Sequence, residues 1–526
     1  MPSRARHWSP GRRRTTLQTD PNPSHSHDDH EAALFDERGV WLTRAFFVRS
    51  LGAVYCCAFI SLLAQLDPLF GGHGILPVAA YVDEAKRVGM TVLNLPTLFW
   101  SDSSDFALHT AAWLGMAGAA ALVAGAANAL LCALLWLCYL SFVNVGQIFY
   151  GYGWESLLLE CGFMAIFLAP PGKPGEFRQS ATPPKVMLLF CRWTLFRLMF
   201  GAGLIKLRGD DCWRSLTCLF YHYETQPIPS PLSWYFHHLP PVFLTLGVLF
   251  NHFVELLVPW GFFLPRTWRA TAGVITIVFQ VLLLLSGNLS WLNYLTIVLC
   301  IACFDDGQLA SAAPRRWLRQ LEGVQPRRAG SLRNGVIFAV SALICALSIN
   351  PALNMVSDRQ LMNASFNQFH LVNTYGAFGS VGKFRYEIVL EGTNDVDLNE
   401  HTEWREYEFK CKPGSVTRRP CFISPFQLRL DWQIWFAAMS SFENNPWFIH
   451  LVAKLLEGDE EVLRLLGNQP FPEAHPHYVR ALLYRYEFSQ KEASDWWKRV
   501  FVRVYMPPLQ LNDSRLQTYL NMQGWK

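Results

Sequence analysis

The chain has 526 residues, of which 51% are hydrophobic and 16% charged, and its formal net charge is +4. Soluble domains carry roughly 25% charged residues, so this composition excludes a purely water-soluble protein. A charge this small, with its basic residues scattered, also argues against a nucleic-acid partner.

Residues 1–44 are polar and basic (Arg4, Arg6, Arg12, Arg13, Arg14) and read as a disordered cytosolic tail. No short apolar core with a small-residue cleavage site occurs there, so the first apolar segment is expected to act as a signal anchor. The cluster His25, His27, Asp28, Asp29 and His30 has metal-ligand residue types. Nothing apolar beside it fixes a geometry, so a solvated tail is the preferred reading and no metal site is assigned.

Residues 45–356 read as a multi-pass helical membrane bundle of about nine segments, at roughly 45–66, 106–126, 127–149, 152–169, 186–207, 242–264, 270–286, 289–304 and 335–356. Segments 152–169 and 289–304 are short, which leaves half-helices open. With a cytosolic N-terminus, the loops on that side carry Lys173, Arg178 and Lys185, then Arg266 and Arg269, then Arg315, Arg316, Arg319, Arg327, Arg328 and Arg333. That distribution obeys the positive-inside rule. An odd number of crossings then puts the loop 208–240 and everything after about residue 357 in the lumen.

Residues 357–526 change character and read as a lumenal α+β, strand-rich domain. Lys383–Leu390, Arg405–Lys412 and Tyr478–Phe488 alternate apolar with polar side chains, the signature of half-buried strands. Asn445–Leu466 spaces Phe448, Leu451, Val452, Leu455 and Leu456 at helical intervals. Trp404, Tyr407, Trp432, Trp435 and Trp447 are core candidates; any that face solvent would suit contact with another protein's apolar surface. Asn363 and Asn512 begin glycosylation sequons on the lumenal side, whereas the sequon at Asn288 sits close to a membrane edge.

Nine of the 13 cysteines lie in apolar runs. The other four, Cys212, Cys218, Cys411 and Cys421, sit in polar segments, where their spacing permits two short-loop disulfides, other pairings, or free thiols. Cys300 and Cys303 have redox-motif spacing but lie in an apolar helix. No phosphate loop, dinucleotide fingerprint or HExxH is present, and no cofactor is implied.

Ionisable residues inside the apolar runs are the sharper signal: Glu155, Glu160, Arg192, Arg197, Lys206, His252 and Glu255. The preferred reading is that carboxylates of one helix neutralise cations of a neighbour. The alternative is a polar cavity in which a desolvated Lys206 acts as a base, with Glu155, Glu160, His252 or Glu255 beside it. His252 and Glu255, three residues apart, would share a helical face and could pair or bind a metal there, a single H-x-x-E being a weak metal signal.

Long blocks of the chain resemble the lipase maturation factor family. They are Leu140–Gly162, Phe200–Gln226, Asn251–Pro259, Ser286–Asn293, Asn373–Ser380, Tyr407–Pro425 and Arg429–Ala438. The block containing Cys411 and Cys421 is nearer the first of the family's two vertebrate members. The resemblance implies a multi-pass endoplasmic reticulum protein that helps dimeric secreted lipases (lipoprotein, hepatic and endothelial lipase) to fold and assemble. It also implies client recognition in the C-terminal region, and leaves adapters of endoplasmic reticulum quality control and membrane lipid as further partners. A shorter stretch, GAGLIKL, is similar to the segment that carries the base lysine of vitamin K-dependent gamma-glutamyl carboxylase, with Lys206 at that position and Ile205 in place of a second lysine. The leading expectation is a non-enzymatic folding factor, with a carboxylase-like membrane enzyme as the alternative.

Overall fold

A computed structural model describes residues 39–525 except 173, 176, 178–181, 323 and 325–329. The predicted tail up to residue 38 with its histidine cluster, and Lys173, Arg178, Arg327 and Arg328 of the charged loops, lie outside the described residues.

Helices occupy all nine predicted membrane stretches: α1 (Trp41–Leu63), α2 (Asp105–Ala124), α3 (Ala129–Val145), α4 (Gly153–Leu168), α5 (Lys185–Arg208), α6 (Pro241–Phe263), α7 (Arg266–Ser286), α8 (Leu292–Cys303) and α9 (Ser331–Val356). Among the described residues six of them, α1, α2, α5, α6, α7 and α9, are long and apolar enough to cross a membrane. The other three are too short for that test. α4 has 16 residues and is buried along nearly its whole length, its two carboxylates, Glu155 and Glu160, included.

Local sequence sets many of these ends. Ser104 caps α2 by accepting the Ala107 N–H, and Asn128 caps α3 by accepting that of Leu131 at 2.7 Å. α1 has no cap of its own and starts at Trp41 rather than at 45. The Asp306 carboxylate accepts the N–H groups of Trp41 and Leu42 at 2.9 and 2.8 Å, a cap supplied from far along the chain. α6 is not a uniform helix. It runs through a π turn at Phe253–Leu257 into a 3-10 turn containing Pro259, whose missing N–H cannot continue an α-helical ladder.

After α9 the chain doubles back across α5 before entering a four-stranded antiparallel sheet. Its strands are β1 (Arg385–Thr393), β2 (Arg405–Tyr407), β3 (Tyr478–Phe488) and β4 (Trp497–Leu509), in the order β2-β1-β3-β4. β1 and β3 pair along their length, from Arg385 opposite Tyr486 to Thr393 opposite Tyr478. Helices α10 (Arg429–Ala437), α11 (Pro446–Glu457) and α12 (Ser514–Met522) complete this part.

The strand expected over Arg405–Lys412 stops at Tyr407. Beyond it the backbone N–H groups leave the ladder: Glu408 donates to Asn468 Oδ1, and Cys411 and Lys412 both donate to Asp431 Oδ2 at 2.7 and 2.9 Å. β4 is not among the strands read from the sequence, and it contains Pro507 and Pro508, residues that a central strand would exclude. It is an edge strand, and the two prolines fall where its register with β3 shifts, between Met506 opposite Ala481 and Leu509 opposite Val479.

The largest cluster of buried apolar residues runs without a break from Phe47 and Leu51 of α1 to Leu516 and Leu520 of α12. The C-terminal part is therefore packed onto the helices, not strung from them.

Candidate functional site

Of the ionisable residues singled out within the apolar runs, Glu155, Glu160, Arg197, Lys206 and Glu255 fall in three separate buried clusters beside α4 and α5, whereas Arg192 donates to the Leu188 and Phe262 carbonyls. α5 can approach its neighbours because of two glycines. A Cβ on Gly201 would fall 2.7 Å from the Tyr375 carbonyl oxygen, and one on Gly203 would fall 3.1 Å from the Cβ of Glu255. The GAGLIKL stretch is thus explained first by close packing, which brings Glu255 beside Lys206.

In the first cluster Lys206 Nζ lies 2.5 Å from Glu255 Oε1 and 3.2 Å from Asn251 Oδ1, and Asn251 Nδ2 donates to Glu255 Oε2 at 3.0 Å. His252 does not join it. The π turn takes Glu255 off the face His252 occupies, and His252 Nε2 lies 3.0 Å from the Trp213 carbonyl oxygen instead. The expected His252–Glu255 pairing is therefore not formed.

The second cluster joins Glu160 to Arg197. Thr194 Oγ1 donates to Glu160 Oε1 at 2.7 Å, while Tyr375 OH and the Asn373 amide donate to Oε2 at 2.7 and 3.0 Å. In the third, Glu155 accepts from Arg429 of α10 at 2.9 Å and from the Tyr139 hydroxyl, and the Arg429 guanidinium lies over the Tyr150 ring. Every carboxylate is matched by a cation and by neutral donors, the arrangement that makes burial of charge tolerable. Glu155, Glu160 and Lys206 do not converge on one catalytic centre. Among the described residues no group of three or more side chains could hold a metal.

The C-terminal part carries a fourth cluster that sequence reasoning did not single out. Arg385 and Lys412 share Glu387 inside the sheet, with Lys412 Nζ 2.8 Å from Glu387 Oε2. Arg385 also donates to the carbonyls of Glu224 and Pro227, pinning the loop 208–240 to the sheet. Arg385 appears in sequence only as the polar partner in an alternating strand, which hides its role.

Cys212 is joined to Cys218, and Cys411 to Cys421. The first bridge packs with Trp213, Val248 and Val381. Cys300 and Cys303 are buried free thiols. Asn363 and Asn512 are exposed, whereas Asn288 is buried, with its Nδ2 donating to the Ile228 and Cys421 carbonyls.

Of the aromatic side chains considered for client contact, Tyr407, Trp432 and Trp447 are buried and serve the core. Trp435 is half-buried and donates to the Thr225 carbonyl; Trp404 is half-buried beneath the Arg480 guanidinium. Exposed apolar side chains lie elsewhere, and one contiguous group of them is on β4. Val500, Phe501, Val502 and Val504 are 44 to 56% exposed, on a strand with only one ladder partner, β3. Runs of exposed apolar residues on a sheet edge are avoided unless something pairs with them. The alternation of Val500, Val502 and Val504 was the available signal.

Family models match most of the chain: the lipase maturation factor transmembrane domain over residues 42–311 and the lipase maturation factor C-terminal domain over residues 371–507. Lipase maturation factor 1 of Homo sapiens is 43% identical over 514 residues, covering 92% of this chain and 90% of that protein. Lipase maturation factor 1 of Mus musculus is likewise 43% identical, over 516 residues, 92% of this chain and 90% of its own. Lipase maturation factor 2 of Rattus norvegicus is 31% identical over 600 residues, 91% of this chain and 85% of its own. No solved structure matches the chain. The carboxylase-like alternative gains no support from these matches, and Lys206 is held in an ion pair. With both family domains matched in order and relatives similar over nine-tenths of its length, the chain belongs to the lipase maturation factor family.

Proposed function

We propose that this chain is a membrane-anchored folding factor that binds incompletely folded lipases and releases them when they assemble. The observation that carries this is the similarity to lipase maturation factors across both domains. We infer further that it resides in the endoplasmic reticulum membrane with a cytosolic N-terminus and a lumenal C-terminal part, residues 357–526. The basic loops at Arg266 and Arg269 and at Arg315–Arg319, and two disulfides outside the long helices, support that orientation. In this reading the three shorter helices complete nine membrane segments, and the clients are dimeric secreted lipases.

Binding would use the outer edge of β4. Its apolar side chains and unpaired backbone groups suit an extended apolar segment of a client that has not yet buried it. Mechanistically, the bundle and the sheet share one core, so the edge is presented rigidly at a fixed distance from the membrane. Truncation after about residue 357 is a poor test, since it would strip Arg429 from Glu155 and Asn373 from Glu160. The better test is Val500→Glu with Val502→Glu, co-expressed with a lipase in cells lacking the chain. Secreted lipase activity is expected to fall at least three-fold while the variant accumulates normally. Wild-type secretion with the variant would overturn the β4 surface; lipase secretion indifferent to the entire chain would overturn the function.

A further inference from the structure

Between α5, α6 and α7, next to the Lys206–Glu255 pair, lies a cavity of about 290 Å³. Its walls are mainly apolar, among them Leu198, Phe250, Phe279 and Leu283. Two of its lining residues, Phe243 and Leu282, are 58% and 41% exposed on apolar helices, which points to access from the side of the bundle. A largely apolar pocket with a few convergent polar groups is the usual form of a small-molecule site.

The polar groups define what fits. Asn293 is 1% exposed and lines the cavity; its Nδ2 donates to Gln280 Oε1 at 3.0 Å, but its Oδ1 has no partner. A buried acceptor left open is unfavourable by about 1–3 kcal/mol unless a donor reaches it. Lys206 and Glu255 cancel one another, so the cavity has no net charge to attract an ionic head group. His222, also in the wall, is neutral as well, burial and the nearby Lys206 pushing its pKa down to about 4.

We propose that this cavity binds an uncharged lipid bearing a hydroxyl head, of the fatty alcohol or monoacylglycerol class, with the hydroxyl donating to Asn293 Oδ1 and the chain lying toward Phe243 and Leu282. This assignment stands apart from the lipase-maturation reading and uses none of the β4 surface.

The test uses the full chain in phosphatidylcholine nanodiscs with a diazirine-bearing fatty alcohol, alongside the corresponding fatty acid. Photolabelling is expected on peptides of α5, α6 and α7 that line the cavity, reduced at least five-fold by excess unlabelled monoacylglycerol. Asn293→Leu should lower labelling at least three-fold. Leu282→Trp, at an exposed position that does not threaten folding, should block entry to the same extent, while Leu130→Trp on an exposed part of α3 should have no effect. Label spread over all lipid-facing helices and insensitive to competitor and to Leu282→Trp would mean annular lipid only. Equal labelling by the fatty acid would refute the uncharged head group, and unlabelled cavity peptides would mean that the space holds water alone. Each of these three results overturns the proposal.

Discussion

Arg429 and Glu155 are 274 residues apart in the chain, yet their side chains meet at 2.9 Å with neither exposed to solvent. One belongs to the C-terminal part and the other to an apolar helix, so the pair joins the two family domains at their centre. Around it, Arg429 N donates to Gln65 Oε1, Ser61 Oγ donates to the Gln427 carbonyl, and the Trp154 indole N–H donates to Gln427 Oε1. A short stretch at 427–429 is thereby gripped by α1, α4 and the turn after α1.

Removing one member of this pair leaves the other charge buried and unmatched. Arg429→Met is expected to destabilise the chain by about 3–5 kcal/mol, whereas Arg429→Met combined with Glu155→Leu should recover much of that loss. Thermal unfolding of the detergent-solubilised protein, followed by loss of the monodisperse gel-filtration peak, gives the comparison. A single substitution as mild as the double would show that the charges are not truly desolvated.

Acidity should weaken the fold. His222, His237, His370 and His450 all have pKa values pushed down to about 4, in each case chiefly by burial. Unfolded, they would take up protons near pH 6.5, so their contribution is present above that pH and is lost as pH falls toward 4. Glu224 works the other way: burial raises it to about 7, so its contribution is present below pH 4.5 and is lost as pH rises through 7. Between pH 6.5 and 4.5 four groups oppose one, and the melting temperature is expected to be lower at pH 5.5 than at pH 7.2. His450→Gln should reduce that difference, because it removes one of the four.

Much of this was readable in the sequence. Hydropathy located every apolar helix, because a stretch rich in Leu, Ala and Phe reports its burial or its lipid contact whatever its neighbours. Period-two alternation located β1 and β3 for the same local reason. The partners were not readable. Glu155 announced that a cation was needed, but Arg429 lies in a short amphipathic helix that could have faced water. The cap on α1 comes from Asp306, which no local rule connects to Trp41. β4 is hard to read locally, since the sequence shows the prolines at 507 and 508 and not the edge position and register shift that accommodate them. Site surfaces were the least legible part: Trp432 and Trp447 are core, the first of the two readings their type allows, but the exposed run on β4 could not be told from a buried strand.

The Cys411–Cys421 bridge closes the segment whose N–H groups Asp431 holds, and its separation of 10 residues implies a contribution of about 2–3 kcal/mol. Replacing both cysteines with serine is expected to loosen the end of β2 and the Arg418 contacts with the Phe409 and Lys412 carbonyls, while leaving α1 to α9 intact. Limited proteolysis should then cut within 408–425 at protease levels that spare the parent. Unchanged resistance there would mean that Asp431 and Arg418 hold the segment without the bridge.

Glycosylation separates surface from core and tests orientation together. Asn363 and Asn512 are exposed, and both follow α9, so a lumenal C-terminal part should carry glycans at both. Asn288 offers the same Asn-x-Ser signal, but it is 1% exposed and is spent on structure: its Nδ2 donates to the Ile228 and Cys421 carbonyls and its Oδ1 accepts the Ile423 N–H at 2.9 Å. It should remain unmodified. Endoglycosidase treatment should shift the chain by two glycans, with Asn363→Gln and Asn512→Gln each removing one and Asn288→Gln removing none. Asn288→Gln should nevertheless lower the yield of folded protein, because a longer amide cannot reproduce bonds made to both sides of a closed pocket. A shift of three glycans would mean that this pocket forms only after the modifying enzyme has passed, and no shift at all would put the C-terminal part on the cytosolic side.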